Sequence, residues 1–342
     1  MAKLHFSSCL VFVLFPLTAC AQPAAVETQP EVQAVEAASP VFADTLWLDN
    51  GTIKLGVSPS VGRITWFGYS DGENLLWINP EEVETPPDGD PASWVNYGGD
   101  KPWVGPQNSW PYFLPHGNNW PPDGDVDGEP WTVLRATDET LSMISPASST
   151  FGVRLSRRIE LEAGSTTATI QTHIICDGEG SPMPMQLWNV TQVLKPESVA
   201  LAAAEVPGGP GGGVLMVDGD KFDGELTEGE GHTIWNDAGQ PNGKKIGTIG
   251  SWIASKHGDT MFLQVAPYDE HGLYPENSSV QLYVADDYVE LELLSPAVQI
   301  RPGVSLSHHV TWALFPLDDP DDPDDEAWQE RVLELASDME LE

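Results

Sequence analysis

Basic residues are scarce in this chain of 342 residues. It contains 15 lysines and arginines against 52 aspartates and glutamates, which gives a formal net charge of −37. A surface of that sign repels nucleic acid and anionic membrane surfaces, so we expect neither as a partner. Two explanations of the acidity stay open: a solvated acidic surface, as in proteins of salty environments, and a load of bound calcium.

Cysteine is also scarce, and the common catalytic signatures are missing. Of the three cysteines, Cys9 and Cys20 belong to the N-terminal segment, so Cys176 has no intramolecular partner and is expected to be a small buried apolar residue. The chain has no Gly-x-Ser-x-Gly elbow, no phosphate-binding Walker loop and no His-Glu-x-x-His motif. Function must therefore be sought in a less familiar arrangement of residues.

The first 19 residues have the layout of a secretory signal. Lys3 precedes the apolar run "LVFVLFPLTAC", which ends in small residues and Cys20. The end of this run resembles the bacterial lipobox, which implies cleavage before Cys20 and lipidation of that cysteine. Ordinary cleavage with Cys20 as a bystander is the alternative. Ala21 then favours retention at the outer membrane, and we predict a flexible tether over 20–43.

Helix signals are weak between residues 44 and 317, where short strands alternate with turns. In "GTIKLGVSP", for example, Ile53, Leu55 and Val57 fall on one face. About a dozen such runs, separated by Gly, Pro, Asn and Asp, predict one all-β domain, a sandwich or a barrel. The acidic tail, 318–342, is predicted to be an appendage with one short helix over 326–340.

Two irregular segments interrupt these strands. Residues 80–131 contain five tryptophans, among them those of "GGDKPWVGPQNSWP" at 98–111. Its prolines argue against a helix and against a central strand, so we predict an ordered loop. Residues 205–247 are rich in glycine, and we interpret them as a flap.

The two ends of the domain resemble galactose mutarotase-like proteins. The stretch "NGTIKLGVSPSVGRITWF" at 50–67 is similar to their first hairpin, and "VELELLSPAVQIRPGVSLSHHVTWALFPL" at 289–317 to their last strands. The elements "GGDK-W--PQ--W" and "WPPD" resemble those of the uncharacterised DUF4380 family of secreted bacterial proteins. The resemblance implies a β-supersandwich of two large, mostly antiparallel sheets whose concave face binds sugar.

The resemblance also implies a catalytic pair, which this chain matches only in part. In mutarotases a glutamate removes the proton of the anomeric hydroxyl while a histidine protonates the ring oxygen. Glu292 best matches that glutamate, with Glu290 as the alternative. Trp188 or Asn189 stands where the histidine is expected, and neither donates a proton near neutral pH. Any activity of this type would need another acid, such as His116 or Lys101.

A sugar site needs aromatic platforms and planar polar side chains, and the segment 98–123 contains both. Packing of its tryptophans onto the sheet is the competing interpretation. The candidate sugar-binding residues are Arg63, Lys101, Trp103, Gln107, Trp110, Trp120, Trp188, Gln192 and Glu290, with Glu292 as the candidate base.

The run "DGDVDGE" at 123–129 resembles the first half of a calcium-binding loop. Asp123, Asp125 and Asp127 are the candidate ligands, although position 12 of such a loop would be Leu134 instead of glutamate. A plain acidic turn is the alternative. No other cofactor is expected.

Three functions remain compatible with these features. The leading hypothesis is an envelope-anchored carbohydrate-binding protein whose sheet concavity and Trp-rich segment hold a glycan. The second is a carbohydrate-active epimerase or lyase that uses Glu292. The third is a structural envelope lipoprotein with a vestigial concavity.

Overall fold

The computed structural model describes residues 42–85, 87, 94–181, 183–204, 214–218, 222, 226–237, 239, 243–317 and 326–340. The predicted signal, Cys20 and most of the tether therefore lie outside the described residues, as does much of 205–225.

The strands of the first half, in chain order, are β1 (Leu46–Asp49), β2 (Ile53–Ser58), β3 (Arg63–Tyr69), β4 (Asp100–Gly105), β5 (Thr132–Ala136), β6 (Thr140–Ile144), β7 (Val153–Leu161), β8 (Thr167–Cys176), β9 (Pro184–Leu194) and β10 (Ser198–Ala202). Those of the second half are β11 (Val214–Asp218), β12 (Leu226–Glu228), β13 (His232–Asn236), β14 (Lys244–Thr248), β15 (Trp252–His257), β16 (Thr260–Val265), β17 (Val280–Val284), β18 (Tyr288–Leu294), β19 (Val298–Gln299) and β20 (Leu306–Pro316). The helices are α1 (Trp110–Phe113), α2 (Gly124–Asp127) and α3 (Glu326–Glu340).

Across the described chain these strands form two antiparallel ten-stranded sheets. The first sheet has the order β1-β2-β3-β4-β9-β18-β17-β14-β11, with β19 added beside β9. The second has the order β12-β13-β10-β15-β16-β20-β8-β7-β6-β5. Both sheets contribute to one apolar core, in which the rings of Phe67, Phe262 and Trp312 lie 5.0–5.2 Å apart. The all-β domain predicted from the strand pattern and the two-sheet sandwich implied by the resemblance are both confirmed.

Strand β4 corrects the prediction that residues 98–111 form only a loop. Asp100–Gly105 pairs along its length with β9 and so lies inside the first sheet. Pro102 is tolerated because β4 touches its other neighbour, β3, only at the pair Ile64–Asp100. Past that pair no ladder hydrogen bond needs an N–H group on that side of β4. The segment thus brings Trp103 into the sheet, whereas Trp110 follows it in α1.

Helix α3 confirms the predicted C-terminal helix, and the helix is packed instead of hanging free as an appendage. Trp328 and Val332 are buried against Trp252 and Met261 of the second sheet. Its apolar side chains recur every three to four residues, which places them on the one face that covers the sheet. None of the described helices is long and apolar enough to cross a membrane.

Candidate functional site

The candidate site lies on the face of the first sheet that points away from the second sheet. Residues paired across strands share a face, and the register from β4 to β14 aligns residues that are distant in sequence. The side chains placed together in this way are Lys101, Trp103, Trp188, Gln192, Lys245, Tyr283, Glu290 and Glu292. We call this group the site face.

A cavity of about 390 Å³ stands over the site face. Its volume falls within the range of about 300–1,000 Å³ that is typical of small-molecule sites. The segments on either side of β4 supply the remaining walls. The lining residues are Trp94, Asn96, Trp103, Gln107, Asn119, Trp120, Trp188, Lys245, Tyr283, Tyr288 and Glu290.

The tryptophans of the cavity form one connected cluster of rings. Trp103 lies at its centre, with ring centroids 5.1 Å from Trp188 and 5.7 Å from Trp120. Trp94 packs edge-on against Trp120 at 4.7 Å. Trp120 is 41% exposed, whereas Trp103 is 3% exposed, so Trp120 offers the most open ring to a ligand. Trp110 packs behind Trp103 and Trp188 and does not line the cavity.

Asp127 holds two of these rings in place. Its carboxylate accepts the indole N–H groups of Trp94 and Trp103, both at 2.9 Å. The same carboxylate receives Arg63 Nη2 at 2.9 and 3.0 Å, and Arg63 Nη1 donates to the Gly98 carbonyl at 3.0 Å. Arg63 and Asp127 are both buried. They therefore act behind the cavity wall and do not face a ligand.

Glu292 is fully buried beneath the cavity floor. Its Oε2 atom accepts the Trp188 indole N–H at 2.7 Å and lies 2.7 Å from Lys245 Nζ. Burial raises the pKa of Glu292, and the nearby Lys245 works against that rise. The Lys245 ammonium also lies 4.3 Å from the Trp188 ring centre, in cation–π geometry. Lys245 lines the cavity and Glu292 does not.

Glu290 is the carboxylate that does line the cavity. Its Oε1 atom accepts Gln192 Nε2 at 2.8 Å and lies 3.6 Å from Lys101 Nζ. Burial lowers the pKa of Lys101 to about 8, while the charge of Glu290 acts in the opposite direction. Tyr288 shares this wall; its hydroxyl accepts Asn96 Nδ2 at 3.1 Å, and burial raises its pKa.

The resemblance implies a histidine at position 188 or 189. These two adjacent residues point to opposite faces of β9. Trp188 points to the cavity, whereas Asn189 points into the core and donates to Asp100 Oδ2 at 2.7 Å. Asp100 in turn forms a fully buried ion pair with Arg157 of the second sheet. His116, a candidate replacement acid, donates from Nε2 to the Pro121 carbonyl at 3.1 Å and is not among the lining residues. Lys101, the other candidate, lies below the wall.

The structure brings together most of the residues selected from the sequence, at different depths. Those that line the cavity are Trp103, Gln107, Trp120, Trp188 and Glu290; those just beneath it are Lys101, Gln192 and Glu292; those behind it are Arg63 and Trp110. Sequence reasoning missed Trp94, Asn96, Lys245, Tyr283 and Tyr288. Lys245 and Tyr283 become visible only once the register of β14 and β17 with β18 is known.

The three aspartates of the proposed calcium loop face different partners. Asp123 caps α2 by accepting the Asp125 N–H at 3.3 Å, and burial raises its pKa to about 6. Asp125 accepts the Ser149 N–H at 2.7 Å, and Asp127 is engaged with Arg63 and the two indoles. Among the described residues, no group of three or more His, Cys, Asp or Glu side chains is arranged to hold a metal ion. Calcium binding stays a prediction that this geometry does not support.

Comparisons with known proteins agree with the fold. The sequence model of the family DUF4380, described as a domain of unknown function, matches residues 43–315. No curated protein sequence matches the chain.

Among solved structures, a protein of Escherichia coli K12 provisionally assigned as an aldose 1-epimerase superposes with a TM-score of 0.59 at 16% identity, over 80% of this chain and 99% of that one. A protein of Klebsiella pneumoniae with the same provisional assignment gives 0.51 at 11%, over 84% and 82%. A protein of Salmonella typhimurium provisionally assigned as a mutarotase gives 0.50 at 12%, over 80% and 90%. Identities this low establish a common fold and nothing more.

Proposed function

The chain belongs to the DUF4380 family and has a galactose mutarotase-like fold, and we propose that it is a carbohydrate-binding protein. The single observation that carries this proposal is the cavity of about 390 Å³, whose walls combine four tryptophans with amide, hydroxyl and charged side chains. Pyranose rings present apolar C–H faces and a rim of hydroxyls, which such a wall can match at the same time.

The aromatic and polar parts of the wall take separate roles in this proposal. The open ring of Trp120 stacks on a sugar face, and Trp103 and Trp94 support it from behind. Asn96, Gln107 and Asn119 supply amide donors and acceptors for hydroxyl groups. The glycan thus lies between the sheet face and the segments that flank β4.

A glycan array followed by titration of any hit tests this function. Because four tryptophans line the cavity, binding of the free sugar should also change the intrinsic fluorescence. Saturable binding on both readouts supports the proposal. If the folded protein binds none of the neutral, acidic and amino sugars on the array, the proposed function is refuted.

Sugar isomerisation is the second candidate, and one observation favours it: a carboxylate and an ammonium group line the same cavity. Epimerisation at the anomeric carbon requires a base for the hydroxyl proton and an acid for the ring oxygen. Glu290 and Lys245 are the two cavity-lining groups that fit these roles, with Glu292 behind Lys245. The fold that the chain shares with provisionally assigned epimerases agrees with this candidate but does not establish it.

Anomer equilibration followed by NMR distinguishes binding from isomerisation. An isomerase should speed equilibration of a sugar that binds, and Glu290→Gln should abolish this effect while Glu292→Gln weakens it by altering Lys245. Binding with no acceleration above the uncatalysed rate eliminates the second candidate and leaves the first intact.

Attachment to a bacterial envelope through Cys20 is a further part of the proposal. Its support is the motif "LTAC" after an apolar run. Metabolic labelling with a fatty-acid analogue should mark the wild type and not Cys20→Ala. Label on both proteins, or on neither, would refute the lipid anchor without affecting the sugar site.

A further inference from the structure

The charges at the candidate site are arranged in two closed pairs. Among the described residues, Lys245 and Glu290 are the lining side chains that carry charge, and each has an opposite partner directly behind it. Lys245 Nζ lies 2.7 Å from Glu292, which is 0% exposed. Glu290 Oε1 lies 3.6 Å from Lys101 Nζ, and Lys101 is 1% exposed. The four formal charges cancel.

This balance holds best near neutral pH, because burial shifts the pKa values of the two inner groups in opposite directions. Burial favours the uncharged form of both, because it lowers the pKa of Lys101 and raises that of Glu292. Acid adds a proton to Glu292 and changes the sum by +1, whereas alkali removes one from Lys101 and changes it by −1, so the sum stays closest to zero between the two pKa values. In either case the lining itself carries one ammonium, Lys245, and one carboxylate, Glu290.

A charged ligand would therefore find no unpaired counter-charge. A carboxylate or phosphate would meet Glu290 and the field of a protein with a formal net charge of −37. An ammonium would meet Lys245. In either case the ligand would lose hydration without gaining a free partner, which is costly for a full charge.

Most of the indole N–H groups of the cavity wall are also already paired, in their case by hydrogen bonds. The indole N–H groups of Trp94 and Trp103 are taken by Asp127, and that of Trp188 by Glu292. Three of the four lining indoles thus present ring carbon instead of hydrogen-bond donors. Such walls suit the apolar C–H faces of a sugar, and the hydroxyls are left to the amides.

From these two observations we infer that the site selects neutral pyranoses and discriminates against uronic acids, sugar phosphates and amino sugars. This inference rests on the carbohydrate-binding function proposed above. It names the ligand class that the same cavity takes.

Isothermal titration with four ligands of matched ring structure tests it: a neutral pyranoside, its uronic acid, its phosphate ester and its amino sugar. For the wild type we expect the neutral ligand to bind at least about tenfold more tightly than each charged one. Tighter binding of any charged member overturns the inference while carbohydrate binding stands. If none of the four ligands binds, the proposed carbohydrate-binding function is itself refuted.

Glu292→Gln tests the physical cause. It keeps the shape of the side chain and leaves Lys245 without its carboxylate, so the affinity for the uronic acid should rise by about tenfold and fall again with salt. Glu160→Gln is the matched control, because it makes the same charge change on the second sheet, where Glu160 pairs with Arg158. If a folded Glu292→Gln protein shows no greater preference for the uronic acid than the control, the charge-balance explanation is wrong.

Discussion

The indole Nε1 of Trp103 donates to Asp127 Oδ1 at 2.9 Å, across a gap of 24 positions in the sequence. This bond links strand β4 of the sheet to the short helix α2. The same carboxylate binds Trp94 and pairs with Arg63, so one buried group sets the position of two rings of the cavity wall.

Asp127→Asn should therefore affect both stability and binding. Arg63 would be left as an unpaired buried charge, which costs about 3–5 kcal/mol, and Trp94 and Trp103 would lose a charge-assisted partner. Urea denaturation measures the first effect and titration with a bound sugar the second. Asp125→Asn is the control on the same helix, because Asp125 bonds to Ser149 and to neither indole. Equal stability of the two variants would contradict the role of Asp127.

Trp120→Ala should weaken sugar binding with little loss of stability. Trp120 is the most open ring of the cavity, so we expect a fall in affinity of about tenfold and a cost in unfolding free energy below about 1 kcal/mol. Tyr112→Ala is the matched control, since Tyr112 is an aromatic residue that is 79% exposed and does not line the cavity. A Trp120→Ala protein that binds as tightly as this control would remove stacking on Trp120 from the model of binding.

Asp123→Asn should stabilise the protein at neutral pH. Burial raises the pKa of Asp123 to about 6 from its ordinary 3.8, so the folded state holds more protons than the unfolded state between these values. The stability that Asp123 contributes is therefore present below about pH 4 and lost as the pH rises through 6. Asparagine also caps helices, so the variant should gain on the order of 1–3 kcal/mol at pH 7.5 and nothing at pH 4.

The same variant addresses calcium. If Asp123 is a ligand, calcium should raise the melting temperature of the wild type more than that of Asp123→Asn. Equal shifts of melting temperature in the two proteins would show that Asp123 is not a calcium ligand.

Lys101→Met should change how stability depends on pH at the alkaline end. Burial lowers the pKa of Lys101 to about 8 from 10.5, despite the opposing charge of Glu290, in a setting that also includes Arg63, Asp127 and Asp100. The unfolded chain then binds more protons between pH 8 and 10.5, so the unfolding free energy contributed by Lys101 rises across this window.

Denaturation at pH 7.5 and pH 10.5 measures this effect as the difference between wild type and Lys101→Met. The difference should shift in favour of the wild type by on the order of 3 kcal/mol, because other lysines and tyrosines titrate alike in both proteins. Parallel pH profiles would show that Lys101 keeps its ordinary pKa.

The strand pattern was sufficient to predict an all-β domain, because the alternation of buried and exposed side chains is a local property, whereas the choice of a two-sheet sandwich over a barrel came from the resemblance of the two ends of the domain. Ile53, Leu55 and Val57 are all fully buried as their spacing predicts, and helix α3 spans 326–340 as predicted. Strand β4 was not predicted, because the rule that excludes proline from a central strand assumes hydrogen-bonding neighbours along both edges. Its edge toward β3 is paired only at Asp100, and no local pattern reveals that.

The sequence by itself determined which residue types are available: tryptophans in 94–131, paired glutamates at 290 and 292, and scarce lysines. Only the tertiary structure decided their partners. Lys245 pairs with Glu292 because β14, β17 and β18 are neighbours in register. Asp127 accepts the indole N–H of Trp103 because α2 packs beneath β4. The physical reason is that periodicity and composition act within a few residues, whereas charge pairing and burial depend on contacts between elements far apart in the sequence, such as Lys245 with Glu292 and Trp103 with Asp127.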